Sequence, residues 1–220
     1  GKVRVQHLGV DIERIRFQSR SLRPGEPVRI LMACSFREKK GIPYAVEAFC
    51  DAAKHVHEME LRIVGGAKTP EEKLLMQRCR EIAENGGVAD RVHFLGYVPY
   101  QQYLDESTSA HLFLAPSVRA ANGDTEGGAP VSIIEAAAAG MPVIATLHCD
   151  IPNVVTDGQS GLLVPERDAH ALAEAIVNLA TSPGHWAAFG TAGRARVEEQ
   201  FDVYKQVAQL EEIYTAASTR

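Results

Sequence analysis

Six short, largely apolar runs, separated by stretches with helical periodicity, constrain the fold more than any other feature of the sequence. They occupy residues 28–34, 60–65, 91–96, 110–117, 142–146 and 161–164. Strands that are apolar throughout must be covered on both faces. Helical crossovers between successive strands make the strands parallel. We therefore predict an α/β fold: a doubly wound, Rossmann-like parallel sheet with helices on both faces.

The intervals between the runs predict helices over residues 43–56, 70–85, 169–181, 186–201 and 204–217, and two more that begin near Pro99 and Pro130. Asp168 is an expected N-cap, because its short side chain can accept a backbone N–H of the first turn. We expect residues 1–27 to be a connector that enters the domain and residues 28–200 to form the Rossmann-like domain. Residues 201–220 are expected to form a C-terminal helix.

The composition argues against several classes of function. The net charge of −5 does not suit a nucleic-acid surface. No apolar run approaches the roughly 20 residues of a membrane span, and the start does not resemble a signal peptide. The four cysteines are widely spaced and predict buried free thiols in a reducing cytoplasm. Neither they nor the close pair His55 and His57 has a metal-ligand spacing, so no metal site is predicted.

Polar residues and glycines follow the predicted strands, at the edge where doubly wound sheets bind ligands. Arg37 and Lys40 follow the first strand, Gly65 and Gly66 the second, Leu95, Tyr97 and Val98 the third, and Glu126, Gly127, Gly128 and Ala129 the fourth. These loops should meet in one cleft. For Tyr97, packing in the core is the commoner alternative.

The residue types in this cleft suit a ligand with both phosphates and hydroxyls. Lys40 or Arg37 can neutralise phosphate oxygens, and a helix that begins near Pro130 directs free amides to the same place. Glu126 and Glu135 would repel phosphate but accept hydrogen bonds from hydroxyls. A diphosphate with a sugar at each end is a nucleotide-sugar. Each feature alone could instead be an ordinary charged turn or a solvated glutamate.

In this order, the motifs resemble the C-terminal half of a GT-B glycosyltransferase of the large retaining family 4, also described as group 1. The resemblance spans nearly the whole chain, and the order of its parts is specific. The matching segments are residues 5–11, "EKKGIPYAVEAF" (38–49), "LRIVGG" (61–66), "VHFLGYV" (92–98), "EGGAPVSIIEAAAAGMPVIAT" (126–146) and "DGQSGLLVPERDAHALAEAI" (157–176).

The resemblance implies a role for each matching position. Lys40, with Arg37 beside it, would bind the donor diphosphate, and Glu135 would accept hydrogen bonds from the ribose. Glu126 would contact the transferred sugar. At the remaining positions, backbone groups would bind the phosphates, the sugar and the base. These positions are Gly65, Gly66, Leu95, Tyr97, Val98, Gly127, Gly128, Ala129, Val131 and Ser132.

For the whole enzyme, the resemblance implies retaining transfer of a hexosyl group from a UDP- or GDP-sugar to a saccharide or lipid-linked acceptor, without an obligatory metal. The setting would be glycan biosynthesis in the cytoplasm, with peripheral association at the inner face of the membrane. The acceptor site would belong to an N-terminal domain that is missing here, toward which residues 201–220 would cross. This chain alone should bind donor but transfer no sugar efficiently.

Three departures from the family pattern stand out. Glu126 and Glu135 enclose eight residues where the family has seven. Ser35 stands where the family usually has an arginine, which leaves Arg37 as the candidate substitute. Cys149, Asp150 and Asn153 stand where Gly, Gly and Glu are commoner.

Two other functions remain compatible with the sequence. A GT-B relative could perform different chemistry, as a nucleotide-sugar epimerase or a phosphorylase. A nucleotide-sugar sensor or scaffold could keep the fold without turnover, which the altered glutamate spacing and Ser35 would favour.

Overall fold

The computed structural model describes residues 5–218, which form one six-stranded sheet with helices on both faces. The strands are β1 (Val28–Ala33), β2 (Met59–Val64), β3 (Val92–Gly96), β4 (Leu112–Ala115), β5 (Val143–Thr146) and β6 (Gly161–Val164). Their spatial order is β3-β2-β1-β4-β5-β6, and every neighbouring pair is parallel. The predicted fold class and all six strands are confirmed, with ends that differ by at most two residues.

Eight α-helices accompany the strands in the described part of the chain. They are α1 (Ile42–Ala52), α2 (Pro70–Asn85), α3 (Tyr100–Ser109), α4 (Val131–Ala138), α5 (Ile151–Val154), α6 (Ala169–Thr181), α7 (Trp186–Gln200) and α8 (Val203–Ser218). The predicted N-cap is confirmed, because the Asp168 carboxylate accepts the Ala171 N–H at 2.9 Å. The short helix α5 is absent from the sequence-based prediction, since four residues carry too little periodicity to reveal it.

The two faces of the sheet bury separate apolar clusters because successive strand side chains point in opposite directions. Ile30 and Met32 pack with α1, α2 and α6 on one face, whereas Leu31 packs with α4, α5 and α7 on the other. Helices therefore shield both faces of the sheet from solvent. This explains why the strands are apolar throughout instead of alternating.

The segment before β1 is fastened to the domain by hydrogen bonds. The Val10 N–H donates to Phe201 O at 2.8 Å, and the Val203 N–H donates to Val10 O at 3.0 Å. The buried guanidinium of Arg20 donates to the carbonyls of Ala110 and Ala139 at 2.7 and 2.8 Å. Part of the predicted connector is thus packed against the domain that it enters.

Helix α8 leaves an apolar surface open to solvent. Tyr204, Val207 and Tyr214 are 60%, 48% and 67% exposed. That this helix crosses to another domain stays a prediction. None of the helices within residues 5–218 combines the length and apolarity needed to cross a bilayer.

The prediction of buried thiols is correct for only part of the set. Cys50 and Cys79 are buried and Cys34 is half-buried, but Cys149 is exposed. Cys149 follows β5 on the ligand edge of the sheet and adopts a left-handed backbone conformation, with φ of 45°. The glycine that is commoner in the family at this position would adopt that conformation without strain.

Gly41 should be the least replaceable residue of the loop after β1. Its φ is 62°, and a Cβ there would lie 1.8 Å from the Pro116 carbonyl oxygen. We expect Gly41→Ala to lower the free energy of unfolding by about 3 kcal/mol in urea denaturation. The matched control is Gly25→Ala, with φ of 76° and no atom within 4 Å of the added Cβ; it should cost about 1 kcal/mol. Equal losses in both variants would contradict this account.

Candidate ligand-binding site at the carboxyl edge of the sheet

The strand order reverses between β1 and β4, which are paired through Ile30↔Leu112 and Leu31↔Phe113. In doubly wound sheets, ligands bind outside the carboxyl ends of the strands at such a point. Here the loop after β1 lies beside the long loop between β4 and α4, because the Val118 N–H donates to the Lys39 carbonyl at 2.8 Å. The two loops form the centre of the candidate site.

A buried ion pair joins these two loops. Lys40 Nζ lies 2.9 and 2.8 Å from the two carboxylate oxygens of Glu126. Ser117 Oγ donates to the same carboxylate at 2.7 Å. The Glu126 side chain is 5% exposed and that of Lys40 is 19% exposed. Since a buried charge without a partner is costly, each residue offsets the cost of burying the other.

The backbone of Glu126 is held by a histidine from the neighbouring strand. His148 follows β5, and its Nε2 lies 3.3 Å from the Glu126 N–H, while its Nδ1 lies 2.7 Å from Glu166 Oε1. Burial raises the pKa of Glu166, but hydrogen bonds from the Arg119 N–H and from His148 outweigh burial, so this pKa lies below its usual value. Glu166 is therefore an ionised acceptor at neutral pH.

The turn with the extra residue bends sharply before α4. Gly127 has φ of 75°, a conformation that favours glycine, and its N–H donates to Thr125 Oγ1 at 3.2 Å. Helix α4 then begins at Val131, directly after Pro130. The first amides of a helix have no intrahelical acceptor and carry the positive end of its dipole. Val131 and Ser132 therefore present such amides beside Lys40.

Glu135 lies on α4, one turn further along, at the edge of a second cavity. Tyr100 donates to Glu135 Oε1 at 3.3 Å. Burial raises the pKa of Glu135, and the hydroxyls of Tyr103 and Tyr100 only partly oppose this effect. Gly65 and Tyr97 also line this cavity, which has a volume of about 310 Å³. A buried, partly satisfied carboxylate that faces a cavity is costly without a ligand.

Two buried hydroxyls of α3 make no well-formed hydrogen bond among the described residues. They belong to Tyr103, which is 8% exposed and lines the cavity, and to Ser107, one turn further along α3. The Tyr103 hydroxyl lies close enough to Glu135 and Ser107 to interact with both. Burial, followed by the charge of Glu135, raises the pKa of Tyr103, which keeps its hydroxyl protonated and able to donate. Buried hydroxyls that are satisfied this poorly are uncommon in folded proteins, and they retain the capacity to bond a polar ligand.

The Lys40 pair and the Glu135 cavity are adjacent parts of one cleft. A narrow cavity beside Lys40 and Glu126 shares Ala33, Cys34 and Ser132 with the cavity that contains Glu135. Lys40 and Glu126 line one part of this cleft, Glu135 lines the other, and Ser132 at the start of α4 lines both. These are the groups expected around a ligand that carries both phosphates and hydroxyls.

Most of the predicted site residues line this cleft or adjoin it, and some do not. Lys40, Glu126, Ser132, Glu135, Gly65, Tyr97 and Val98 line it. Gly66 lies against Tyr97, and Gly127, Gly128 and Ala129 form the turn. Leu95 packs on the apolar cluster, and the Val131 side chain is 44% exposed. Tyr97 is 81% exposed, so the packing alternative for it is wrong.

The structure separates Arg37 from Lys40. Arg37 Nη2 pairs with Asp124 at 2.9 Å and lines a neighbouring cavity of about 650 Å³ together with Tyr44 and Arg167. The consecutive lysines also diverge, since Lys39 binds Asp124 at 3.1 Å whereas Lys40 binds Glu126. That Arg37 substitutes for the arginine that the family usually has at the position of Ser35 stays a prediction.

Sequence reasoning missed five residues of the site: Ser117, His148, Glu166, Tyr100 and Tyr103. The spacing of the two tyrosines, three residues apart in a helix that starts at the ligand edge, was a usable signal. His148 and Glu166 follow β5 and β6 directly. An inspection of the residues after every strand would have found them.

Residues 27–182 match the model of the family described as glycosyl transferases group 1. Among curated proteins, the amylovoran biosynthesis glycosyltransferase AmsK of Erwinia amylovora is 34% identical over 215 residues, 96% of this chain and 50% of AmsK. A GDP-mannose-dependent α-(1-6)-phosphatidylinositol monomannoside mannosyltransferase of Mycolicibacterium smegmatis is 29% identical, over 95% of this chain and 56% of that protein. The chain spans about half the length of these curated relatives.

Solved structures share the fold over the whole chain. Sucrose-phosphate synthase from Thermosynechococcus elongatus superimposes with a TM-score of 0.82 at 27% identity, over 100% of this chain and 53% of that one. Anabaena HepE in complex with UDP gives a TM-score of 0.83 at 19% identity, over 97% of this chain and 57% of HepE. The second similarity is evidence for the fold alone.

The raised pKa of Glu135 makes a prediction about stability. Between the usual and the raised pKa, the folded chain keeps a proton on Glu135 that the unfolded chain has released. The free energy of unfolding therefore falls as the pH rises through that interval. We expect the stability advantage of Glu135→Gln over the wild type to grow as the pH rises above the usual pKa of a glutamate, about 4.3, in urea denaturation without ligand. The control Glu174→Gln, at a side chain that is 71% exposed, should show no such trend.

Proposed function

The chain belongs to the glycosyl transferases group 1 family, and we propose that it is the donor-binding domain of a retaining hexosyltransferase that uses a nucleotide-diphosphate sugar. The observation that carries the proposal is that one cleft brings together Lys40 with Glu126, the start of α4 at Ser132, and Glu135. The cleft lies at the point where the strand order of the sheet reverses.

The nucleoside end of the donor occupies the cavity that contains Glu135. The carboxylate accepts hydrogen bonds from the two ribose hydroxyls, which relieves the cost of its burial. Tyr97 and Val98 flank the base at the end of β3, and the Tyr103 hydroxyl, which makes no well-formed hydrogen bond within the described chain, donates to the same end of the ligand. This part of the donor contributes most of the ground-state binding.

The diphosphate lies between the two cavities. Lys40 Nζ has three N–H donors and shares them between Glu126 and a phosphate oxygen. The amides of Val131 and Ser132 donate to the other phosphate oxygens at the positive end of α4. The Glu126 carboxylate, held by Ser117 and Lys40, then faces the hydroxyls of the sugar that is transferred.

The chemical role of these groups is to stabilise the leaving group. As the bond between the anomeric carbon and the phosphate oxygen breaks, its electrons pass to the nucleoside diphosphate. Lys40 and the amides of α4 stabilise the negative charge that develops there. Arg37 lies outside the cleft. Further stabilisation would therefore come from the second domain, and so would the acceptor hydroxyl that attacks on the face from which the leaving group departs.

The relatives support this class of donor and acceptor. AmsK is named for amylovoran biosynthesis, and the mycolicibacterial relative for transfer from GDP-mannose to a phosphatidylinositol mannoside. We extend to this protein a UDP- or GDP-sugar as donor and a saccharide or lipid-linked acceptor, in glycan biosynthesis. A lipid-linked acceptor would place the whole enzyme at the cytoplasmic face of a membrane.

The acceptor would bind on a second domain, which α8 would help to position. The exposed Tyr204, Val207 and Tyr214 are suited to pack against that domain. Transfer needs both walls of the cleft, because the reacting groups must be held together in a site that excludes water.

The 220-residue chain should bind its donor without transferring the sugar. A thermal-shift panel of UDP-, GDP- and ADP-sugars should raise the melting temperature for one nucleotide class, since a ligand that binds only the folded state stabilises it by mass action. Donor calorimetry on the chain and a transfer assay on the longer protein complete the test. Binding without turnover by the longer protein would favour a sensor, and efficient transfer by the chain alone would contradict the proposed division of roles.

Glu135 should contribute to nucleotide binding whether or not the sugar is attached. We expect Glu135→Gln to weaken binding of both the nucleoside diphosphate and the nucleotide-sugar by about ten- to a hundredfold, the range for hydrogen bonds to a charged group. Isothermal titration calorimetry measures both constants. Glu174→Gln, on the exposed face of α6, is the matched control. An unchanged affinity in Glu135→Gln would exclude the proposed ribose contact.

A further inference from the structure

His148 is a buried residue at the ligand edge of the sheet to which the proposed reaction gives no role. It follows β5, and its side chain is 3% exposed. Both ring nitrogens face polar groups of other loops: the Glu126 N–H on one side and the Glu166 carboxylate on the other. The imidazole thus bridges the loop between β4 and α4 and the loop between β6 and α6.

The partners of the ring determine its tautomer. The backbone N–H of Glu126 can only donate, so Nε2 must be the unprotonated nitrogen that accepts it at 3.3 Å. Nδ1 then carries the proton and donates it to Glu166 Oε1 at 2.7 Å. The Cys149 Sγ also lies 3.2 Å from Nε2, where its S–H can donate. The opposite tautomer would place two donors against each other.

Glu166 holds the same loop at a second point. Its other oxygen accepts the Arg119 N–H at 2.8 Å. His148 and Glu166 together therefore fix the backbone near both ends of the loop segment between Arg119 and Glu126. This segment contains no helix or strand that could hold its shape by itself.

We propose that His148 is a positioning residue that fixes the backbone of Glu126 and thereby directs its carboxylate to the transferred sugar. The inference rests on the proposed function, since it assigns the donor's sugar to Glu126. It also explains how the turn tolerates eight residues between the two glutamates. A longer turn has more conformations to lose, and the hydrogen bond that the Glu126 N–H donates to His148 selects the one in which Glu126 meets Lys40 and Ser117.

The backbone next to the imidazole is consistent with this role. Cys149 has φ of 45°, a conformation that costs a non-glycine residue free energy. The strained residue lies directly beside the ring that it helps to orient. Strain of this kind persists where the surrounding contacts determine the conformation.

The test separates binding of the sugar from binding of the nucleotide. Calorimetry on the 220-residue chain gives the ratio of the Kd for UDP to that for UDP-glucose, and the same ratio for GDP and GDP-mannose. We expect His148→Leu to lower this ratio about five- to tenfold for the matching donor, with the Kd for the nucleoside diphosphate changed less than about twofold. A general structural defect would weaken both constants together.

Two further variants make the result specific. His148→Gln keeps an acceptor toward Glu126 and a donor toward Glu166, so its ratio should stay within about twofold of the wild type. His170→Leu is the matched control, because His170 forms a similar pair with Glu174 but is 82% exposed on α6. If His148→Leu does not fold, Glu166→Ala replaces it, with an expected loss of about threefold in the ratio.

The outcomes distinguish the inference from the function on which it rests. A wild-type chain that binds none of the four ligands would refute the proposed function, and the inference with it. If the wild-type chain binds a donor and His148→Leu leaves the ratio unchanged, only the role of His148 is refuted. The same holds for an unchanged ratio in Glu166→Ala, where His148→Leu does not fold.

Discussion

The parallel pairing of β1 with β4 is the constraint on which the rest of the structure depends. It places the loop that carries Lys40 beside the loop that carries Glu126, although 86 residues separate the two in the chain. Because α4 follows the second loop, the same pairing directs its free amides to Lys40. The cleft is thus a consequence of the strand order, and its chemistry comes from the side chains of those two loops.

The site carries polar groups that the isolated fold does not fully satisfy. Glu135 is buried beside two tyrosines, and burial raises its pKa. The Tyr103 and Ser107 hydroxyls make no well-formed hydrogen bond among the described residues. Such groups lower the stability of the domain without ligand, and a ligand with hydroxyls would complete their hydrogen bonds. Lys40 and Glu126, by contrast, satisfy each other.

The sequence was sufficient for the architecture and for part of the site. Strands and long helices follow from local periodicity, which is why β6 and α6 were predicted to the residue. The direction of a loop side chain depends on distant partners. Arg37 turns toward Asp124 and away from the cleft, Tyr97 stays exposed where packing was the commoner expectation, and the contact of His148 with Glu126 needs three loops to meet. Periodicity carries no information about such contacts.

The turn after Glu126 has a consequence for how such domains diversify. It lies beyond the last hydrogen bond of β4 and is held by side chains instead of by the sheet. An insertion there leaves the register of all six strands intact. If the turn meets the transferred sugar, as we propose, its length can change while the cavity proposed for the nucleotide is kept. One inserted residue would then alter the choice of sugar and leave the nucleotide contacts in place.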